Sequence, residues 1–151
     1  MTVVLCPPTS ADLPALSALC LRSKGHWGYS SDFLDACRTE LTLTKRDLTE
    51  TEMLIAKHDD KYTGLVQVTR DQDPASLLRL FVDPPFIGTG LGRTLFDWAI
   101  AKARSQGREA IMIDADPNAA SFYIAMGADL IGEIPSGSIP GRVLPLLRFA
   151  L

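Results

Sequence analysis

Three glycines, Gly88, Gly90 and Gly92, fall within five residues, after an apolar run and before a helical pattern. Glycine there admits backbone angles closed to other residues and lets a ligand come close to the main chain. The N–H groups that open the helix then form an anion site, helped by the helix dipole. A phosphate or pyrophosphate is the natural occupant, and a plain glycine-rich turn is the competing reading. A Walker loop is excluded, because the chain has no GxxxxGK followed by Ser or Thr. The dinucleotide fingerprint GxGxxG also fails, since Arg93 stands where the third glycine belongs. Asp114 lies at about the distance of a ribose-binding acid, but the glycines follow a run of extended segments instead of opening a first βαβ unit.

Metal and disulfide chemistry find little support. Cys6, Cys20 and Cys37 are an odd number, and only His26 and His58 could join them as soft ligands. They read as reduced, buried thiols of a cytoplasmic protein. The N-terminal run to Leu21 has no basic residue before Arg22 and is broken by Pro7, Pro8 and Pro14, unlike a signal peptide. No window approaches the roughly 18 apolar residues of a membrane span. The 151 residues, 46% of them apolar, suit one domain spanning 1–151, and the net charge of −3 argues against wrapping nucleic acid. Residues 86–108 nevertheless hold Arg93, Lys102, Arg104 and Arg108 against Asp97 alone, a net +3 on the glycine segment and the helix behind it.

The elements that must position these residues can be read from periodicity. Val3 to Cys6 is an opening strand closed by Pro7-Pro8. Leu13, Leu16, Leu19 and Cys20 mark a helix with Pro14 in its first turn and Ser10 or Asp12 as its cap. Ser31 is the expected cap of a second helix carrying Leu34, Cys37 and Leu41 on one face, and the polar stretch after it is ambiguous. Met53–His58 and Leu65–Thr69, around Asp59-Asp60-Lys61, predict an antiparallel hairpin. Ser76–Val82 predicts a strand central to the sheet, ended by Asp83-Pro84-Pro85. Leu91, Leu95, Trp98 and Ala99 predict a helix of about 15 residues stopped by Gly107. A short buried strand, AIMID, precedes a helix with Asp116 as N-cap, Pro117 as first residue and Gly127 as C-cap glycine. Leu130–Ile134 and Val143–Phe149 are final strands, and Pro145 makes the last an edge or a bulged strand.

Two of these segments, in this order, resemble the GNAT N-acetyltransferase superfamily. LFVDPPFIGTGLGRTLF is similar to the family's strand ending in V-x-P followed by Q/R-x-x-G-x-G/A, with Gly90 and Gly92 on its glycines. Ile87 replaces the usual Gln or Arg, which removes that side-chain contact and leaves backbone amides to hold the pyrophosphate. DPNAASFYIAMGA is similar to N-x-x-A-x-x-F-Y-x-x-x-G-F: Asn118, Phe122, Tyr123 and Gly127 align, with Ser121 for the alanine and Ala128 for the last Phe.

The resemblance implies an α/β single domain, a mixed, mostly antiparallel central sheet flanked by helices, and transfer of the acetyl group of acetyl-CoA to a primary amine in a ternary complex. The alternative is a non-catalytic acyl-CoA or nucleotide-binding module. It implies that the main chain of Leu80, Phe81 and Val82 meets pantetheine and the thioester carbonyl, on a strand that splays from its neighbour. The cofactor segment is Ile87, Gly88, Thr89, Gly90, Leu91, Gly92, Arg93 and Thr94, joined by Asn118, Ser121 and Tyr123. Tyr123 corresponds to a general acid toward the CoA sulfur, a role suited to a phenol of pKa about 10. Between the first two helices the family often lines its amine site, and here RSKGHWGYS puts His26, Trp27 and Tyr29 between hinge glycines. His26 is the expected base, acting directly or through water. The loop PSGSIPGR is expected to be an ordinary hairpin loop with a solvated Arg142, and a border of the acceptor pocket is its alternative reading. The expected partner is a small-molecule or peptide amine, with neither nucleic acid nor membrane, and a final edge strand leaves room for a homodimer.

Overall fold

The computed structural model describes residues 2–151. Its elements run β1 (Val4–Cys6), α1 (Leu13–Gly25), α2 (Ser31–Leu41), α3 (Lys45–Glu50), β2 (Thr51–His58), β3 (Lys61–Thr69), β4 (Ala75–Val82), α4 (Leu91–Ser105), β5 (Ala110–Asp114), α5 (Ala120–Ala125), β6 (Asp129–Pro135) and β7 (Val143–Ala150). The strands form one sheet in the order β1-β2-β3-β4-β5-β7-β6. Only β4 and β5 run parallel; every other neighbouring pair is antiparallel.

Alternation along the hairpin sorts side chains into two cores. Met53, Ile55 and Leu65 pack with Leu16, Leu19 and Cys20 of α1 and with Cys37 and Leu41 of α2. Ala56, Val66 and Val68 face the opposite way, onto Leu95, Phe96 and Ala99 of α4, with Ile111, Ile113 and Leu147 completing that core. The two-residue period of β-structure therefore makes a three-layer molecule with the sheet in the middle. Gly64 sets the spacing on the α4 side, since a Cβ there would lie 2.8 Å from a Leu95 methyl.

The hairpin turn has Asp59 and Asp60 both at positive φ, 49° and 64°, the geometry a two-residue turn needs to match strand twist. The ambiguous segment after α2 forms α3, opened by a capping box in which Thr44 and Asp47 bond each other's backbone. Ser30, not Ser31, caps α2, accepting from the Phe33 N–H. α5 is also shorter than expected. Asp116 instead caps a separate turn, accepting from the Asn118 N–H at 2.8 Å, and the helix starts only at Ala120.

The final strand corrects the sequence reading most. β7 lies between β5 and β6, so β6 is the edge. The β6–β7 irregularity lies between Leu130 and Gly132 of β6, away from Pro145. Pro145 is tolerated because its carbonyl accepts from Ala115, past the last β5–β7 pair at Asp114 and Leu146. The donor it lacks thus points beyond the end of β5, where no ladder bond is required.

Candidate active site

The parallel ladder between β4 and β5 holds only three pairs, from Ala75 with Ile111 to Leu77 with Ile113. Beyond Leu77 the strands part. β4 stays joined to β3 as far as Val82, so the main chain of residues 78–82 has no strand partner on the β5 side. An irregularity in the β3–β4 register leaves Leu78 without a partner, and the faces of β4 exchange there. Leu77, Leu80 and Val82 join the α4 core, whereas Arg79 and Phe81 turn toward α1. β4 is thus central, as expected, but it is half-exposed because it forms a cavity wall.

That cavity is about 780 Å³. At one end it is lined by Ile87, Gly88, Gly90, Gly92 and Arg93. Gly88 and Gly90 have φ of +82° and +89°, with nothing within 4 Å of a Cβ built on either. Gly90 is the N-cap of α4, so the first N–H groups of a 15-residue helix open beside this bare main chain. Arg93 is exposed and forms no ion pair among the described residues. A cradle of free amides, a helix start and one uncommitted cation suits a pyrophosphate. The unpaired edge of β4 suits an amide-bearing arm leading inward.

Leu80, Phe81, Val82, Asn118 and Tyr123 line the same cavity. Tyr123 is 6% exposed and packs edge-on to Phe96 and Phe122, with centroids 5.4 and 5.1 Å away. Burial, and secondarily the Asp116 charge, push its phenol well above the usual tyrosine range, so it keeps its proton at neutral pH. Other expected cofactor residues lie elsewhere. Leu91 is buried in the α4 core, Ser121 is exposed outside the cavity, and Thr89 and Thr94 line a separate shallow hollow with Val3 and Leu5.

The far end is built from side chains distant in sequence. Asp116 accepts from Lys24 Nζ at 2.6 Å and from the Tyr29 hydroxyl at 2.9 Å. Tyr29 in turn accepts from Arg142 at 2.8 Å and from Asn118 at 3.1 Å. Tyr29 stacks on Phe33 with centroids 4.1 Å apart, and the Arg142 guanidinium lies 4.8 Å from the Phe33 ring centre. Burial pushes the Asp116 carboxyl upward, but bonds from Lys24, Asn118 and Tyr29 outweigh it and hold the group below its ordinary value. Arg142 is therefore not solvated, and the 136–142 loop does border the cavity, through Ser136, Ser138 and Arg142. Deeper, Arg79 donates to Gln67 at 2.7 Å and pairs with Asp47 at 3.3 Å.

Of the three expected acceptor residues, only Trp27 lines the cavity. Tyr29 supports its wall from behind. His26 is exposed at the end of α1, edge-on to Trp27 at 4.9 Å, and lies outside the lining. Glu40 and Asp114, which sequence reading did not place at the acceptor site, do line it. Partial burial, then the Glu40 charge, raise the Asp114 carboxyl above its ordinary value. The signal for Asp114 was its position at the end of a buried strand next to the motif helix; for Glu40 no local signal existed.

Among the described residues no helix is long and apolar enough to cross a membrane, and no cluster of His, Cys, Asp and Glu could hold a metal.

Comparison with known proteins agrees with this geometry. Residues 29–133 match the family model described as Acetyltransferase (GNAT) domain. A 75-residue segment is 28% identical to an uncharacterized N-acetyltransferase ycf52-like protein of Prochlorococcus marinus, covering 47% of this chain and 42% of that relative, so the match spans less than half of its length. In fold, the chain is similar to the PaiA N-acetyltransferase of Thermoplasma acidophilum in complex with coenzyme A, at TM-score 0.80 and 18% identity over all of both chains. It is also similar to a GCN5-related N-acetyltransferase of Rhodopseudomonas palustris, at TM-score 0.83 and 23% identity over 100% of this chain and 97% of that one. A third similar fold, yncA of Salmonella typhimurium with its cofactor acetyl-CoA, has TM-score 0.69 at 20% identity, over 99% and 94% of the two chains. A strand pair that parts beside a glycine-opened helix, and a family model covering most of the residues that build it, place this chain in the GNAT acetyltransferase family.

Proposed function

We propose that the protein moves the acetyl group of acetyl-CoA to a primary amine, by direct attack within a ternary complex. The observation that carries this reading is the continuity of one cavity from the Gly88–Arg93 cradle, past the unpaired edge of β4 and Tyr123, to the carboxylates Glu40 and Asp114. The N–H groups at Gly88–Arg93 and the Arg93 side chain hold the pyrophosphate, and the main chain of Leu80–Val82 bonds the pantetheine arm and the thioester carbonyl. Acetyl-CoA supplies an activated acyl group on a thiolate leaving group. Asp114 takes the proton of the incoming ammonium, directly or through water, because it lines the cavity and has a raised affinity for protons. His26 lies outside the lining and is not needed for that step. Tyr123 donates its hydroxyl proton to the departing sulfur, and burial keeps that donor loaded. The buried thiols Cys20 and Cys37 stay out of the chemistry; burial pushes the Cys20 thiol up to about 12, far from a nucleophilic thiolate.

The decisive experiment couples calorimetric titration with acetyl-CoA to release of CoA thiol across a panel of amines. Binding with amine-dependent release is expected. Binding without turnover on any amine would favour a non-catalytic acyl-CoA module, and absence of binding would remove both readings.

A further inference from the structure

The charged groups lining the acceptor end are unevenly committed. Lys24 and Arg142 both engage Asp116 and Tyr29, and Arg142 is further held against the Phe33 ring. Arg79 is committed to Asp47, Gln67 and the Glu40 carbonyl. Two groups have no such partner: the carboxylates of Glu40 and Asp114 form no ion pair among the described residues, although both line the cavity. They come from different elements, Glu40 from the end of α2 and Asp114 from the end of β5. The Glu40 carboxylate lies close to Gly137, beside the loop that borders the cavity, 3.7 Å from where a Cβ on that glycine would sit. Two like charges facing one cavity repel each other unless a cation comes between them.

We infer that the acceptor carries a second ammonium group besides the one that is acetylated, with Asp114 meeting the reacting nitrogen and Glu40 the distal one. This deepens the acetyltransfer reading and rests on it. The acceptor class is a diamine or longer polyamine, in preference to a zwitterionic amino acid, whose carboxylate would face Glu40 and Asp114. Arg142, the group most able to receive a carboxylate, is already occupied. Trp27 and the methylene-bearing walls at Leu41, Leu77 and Leu144 suit the apolar chain between two ammonium groups.

The test compares 1,4-diaminobutane with 1-aminobutane, which differ at the distal end of the same four-carbon chain, and with alanine. Thiol release should show kcat/KM for the diamine at least about tenfold above that for the monoamine, a factor worth one bound charge contact. Glu40→Gln should lower the diamine-to-monoamine ratio severalfold, and raised salt should lower it further. Equal ratios in wild type and Glu40→Gln, or a preference for alanine, overturn the inference while leaving acetyltransfer intact. If none of the three amines turns over, calorimetric titration into the protein saturated with CoA decides: tighter binding of the diamine, weakened by Glu40→Gln, supports the assignment, and indistinguishable binding of the two amines overturns it. Failure of acetyl-CoA to bind would instead remove the underlying reading.

Discussion

The two ends of the cavity are made in different ways. The cofactor end is backbone: bare amides at Gly88 and Gly90, a helix start, and a strand edge that has lost its neighbour. It is contiguous in sequence, because a turn between a strand and a helix supplies it whole. The acceptor end is side chain: Lys24, Tyr29, Asp116, Asn118 and Arg142 close on one another across sequence separations of 87 to 113 residues. A backbone site tolerates substitution wherever no side chain faces the ligand, which is how Ile87 can replace the Gln or Arg usual in the family. A side-chain site depends on each member, since every buried donor or acceptor left alone carries a desolvation penalty.

If this contrast is right, substitutions at the two ends should separate binding from turnover. The largest effect is expected where the ends meet. Tyr123→Phe should lower kcat by about a hundredfold, the usual worth of a positioned general acid, with acetyl-CoA affinity by calorimetry almost unchanged. Unchanged turnover would remove Tyr123 from the chemistry. Gly90→Val comes next: a β-branched residue at φ +89° stores roughly 1–3 kcal/mol of strain, so acetyl-CoA should bind about tenfold or more weakly. Acceptor KM should move far less.

Asp116→Asn probes the opposite end. Lys24 and Asp116 are 13% and 12% exposed, and removing the charge they share should lower stability by about 1–3 kcal/mol in denaturant unfolding and raise acceptor KM. Its sign with pH follows from the depressed carboxyl. The folded chain binds this proton less readily than the unfolded one, so the wild-type advantage is complete above the ordinary value of 3.8 and fades as the pH falls through the lowered one. A stability difference that grew on acidification would contradict the clasp. The smallest effect belongs to His26→Ala. An exposed side chain outside the lining should change kcat/KM by less than about twofold. The acid limb of its pH profile should stay in place, whereas Asp114→Asn should abolish that limb. Loss of the limb in His26→Ala would return the base role to the histidine.

Legibility of the site in the sequence followed the same divide. The glycine cradle, Tyr123 and Asn118 were readable because local punctuation marks them: positive-φ glycines at a helix start, and an Asp-Pro-Asn turn before an aromatic pair. Even there, side-chain direction escaped. Leu91 belongs to the core and Thr89 and Thr94 to another hollow, since consecutive residues of a helical turn point to different sides. Glu40 was invisible because nothing in an amphipathic helix says which exposed carboxylate a distant loop will approach. Pro145 misled because a missing donor says only that one ladder bond is absent, not on which side of the strand or how far along it.

By itself, the sequence determined the run of strands and helices, the alternation that sends Leu65 and Val66 to opposite cores, and the anion-binding turn, all consequences of period and local backbone preference. Only the tertiary structure decided that β7 enters between β5 and β6, that β4 and β5 part after Leu77, and that Lys24, Asp116 and Arg142 meet. Those are relations between segments far apart along the chain, set by how layers pack, and no local pattern encodes them.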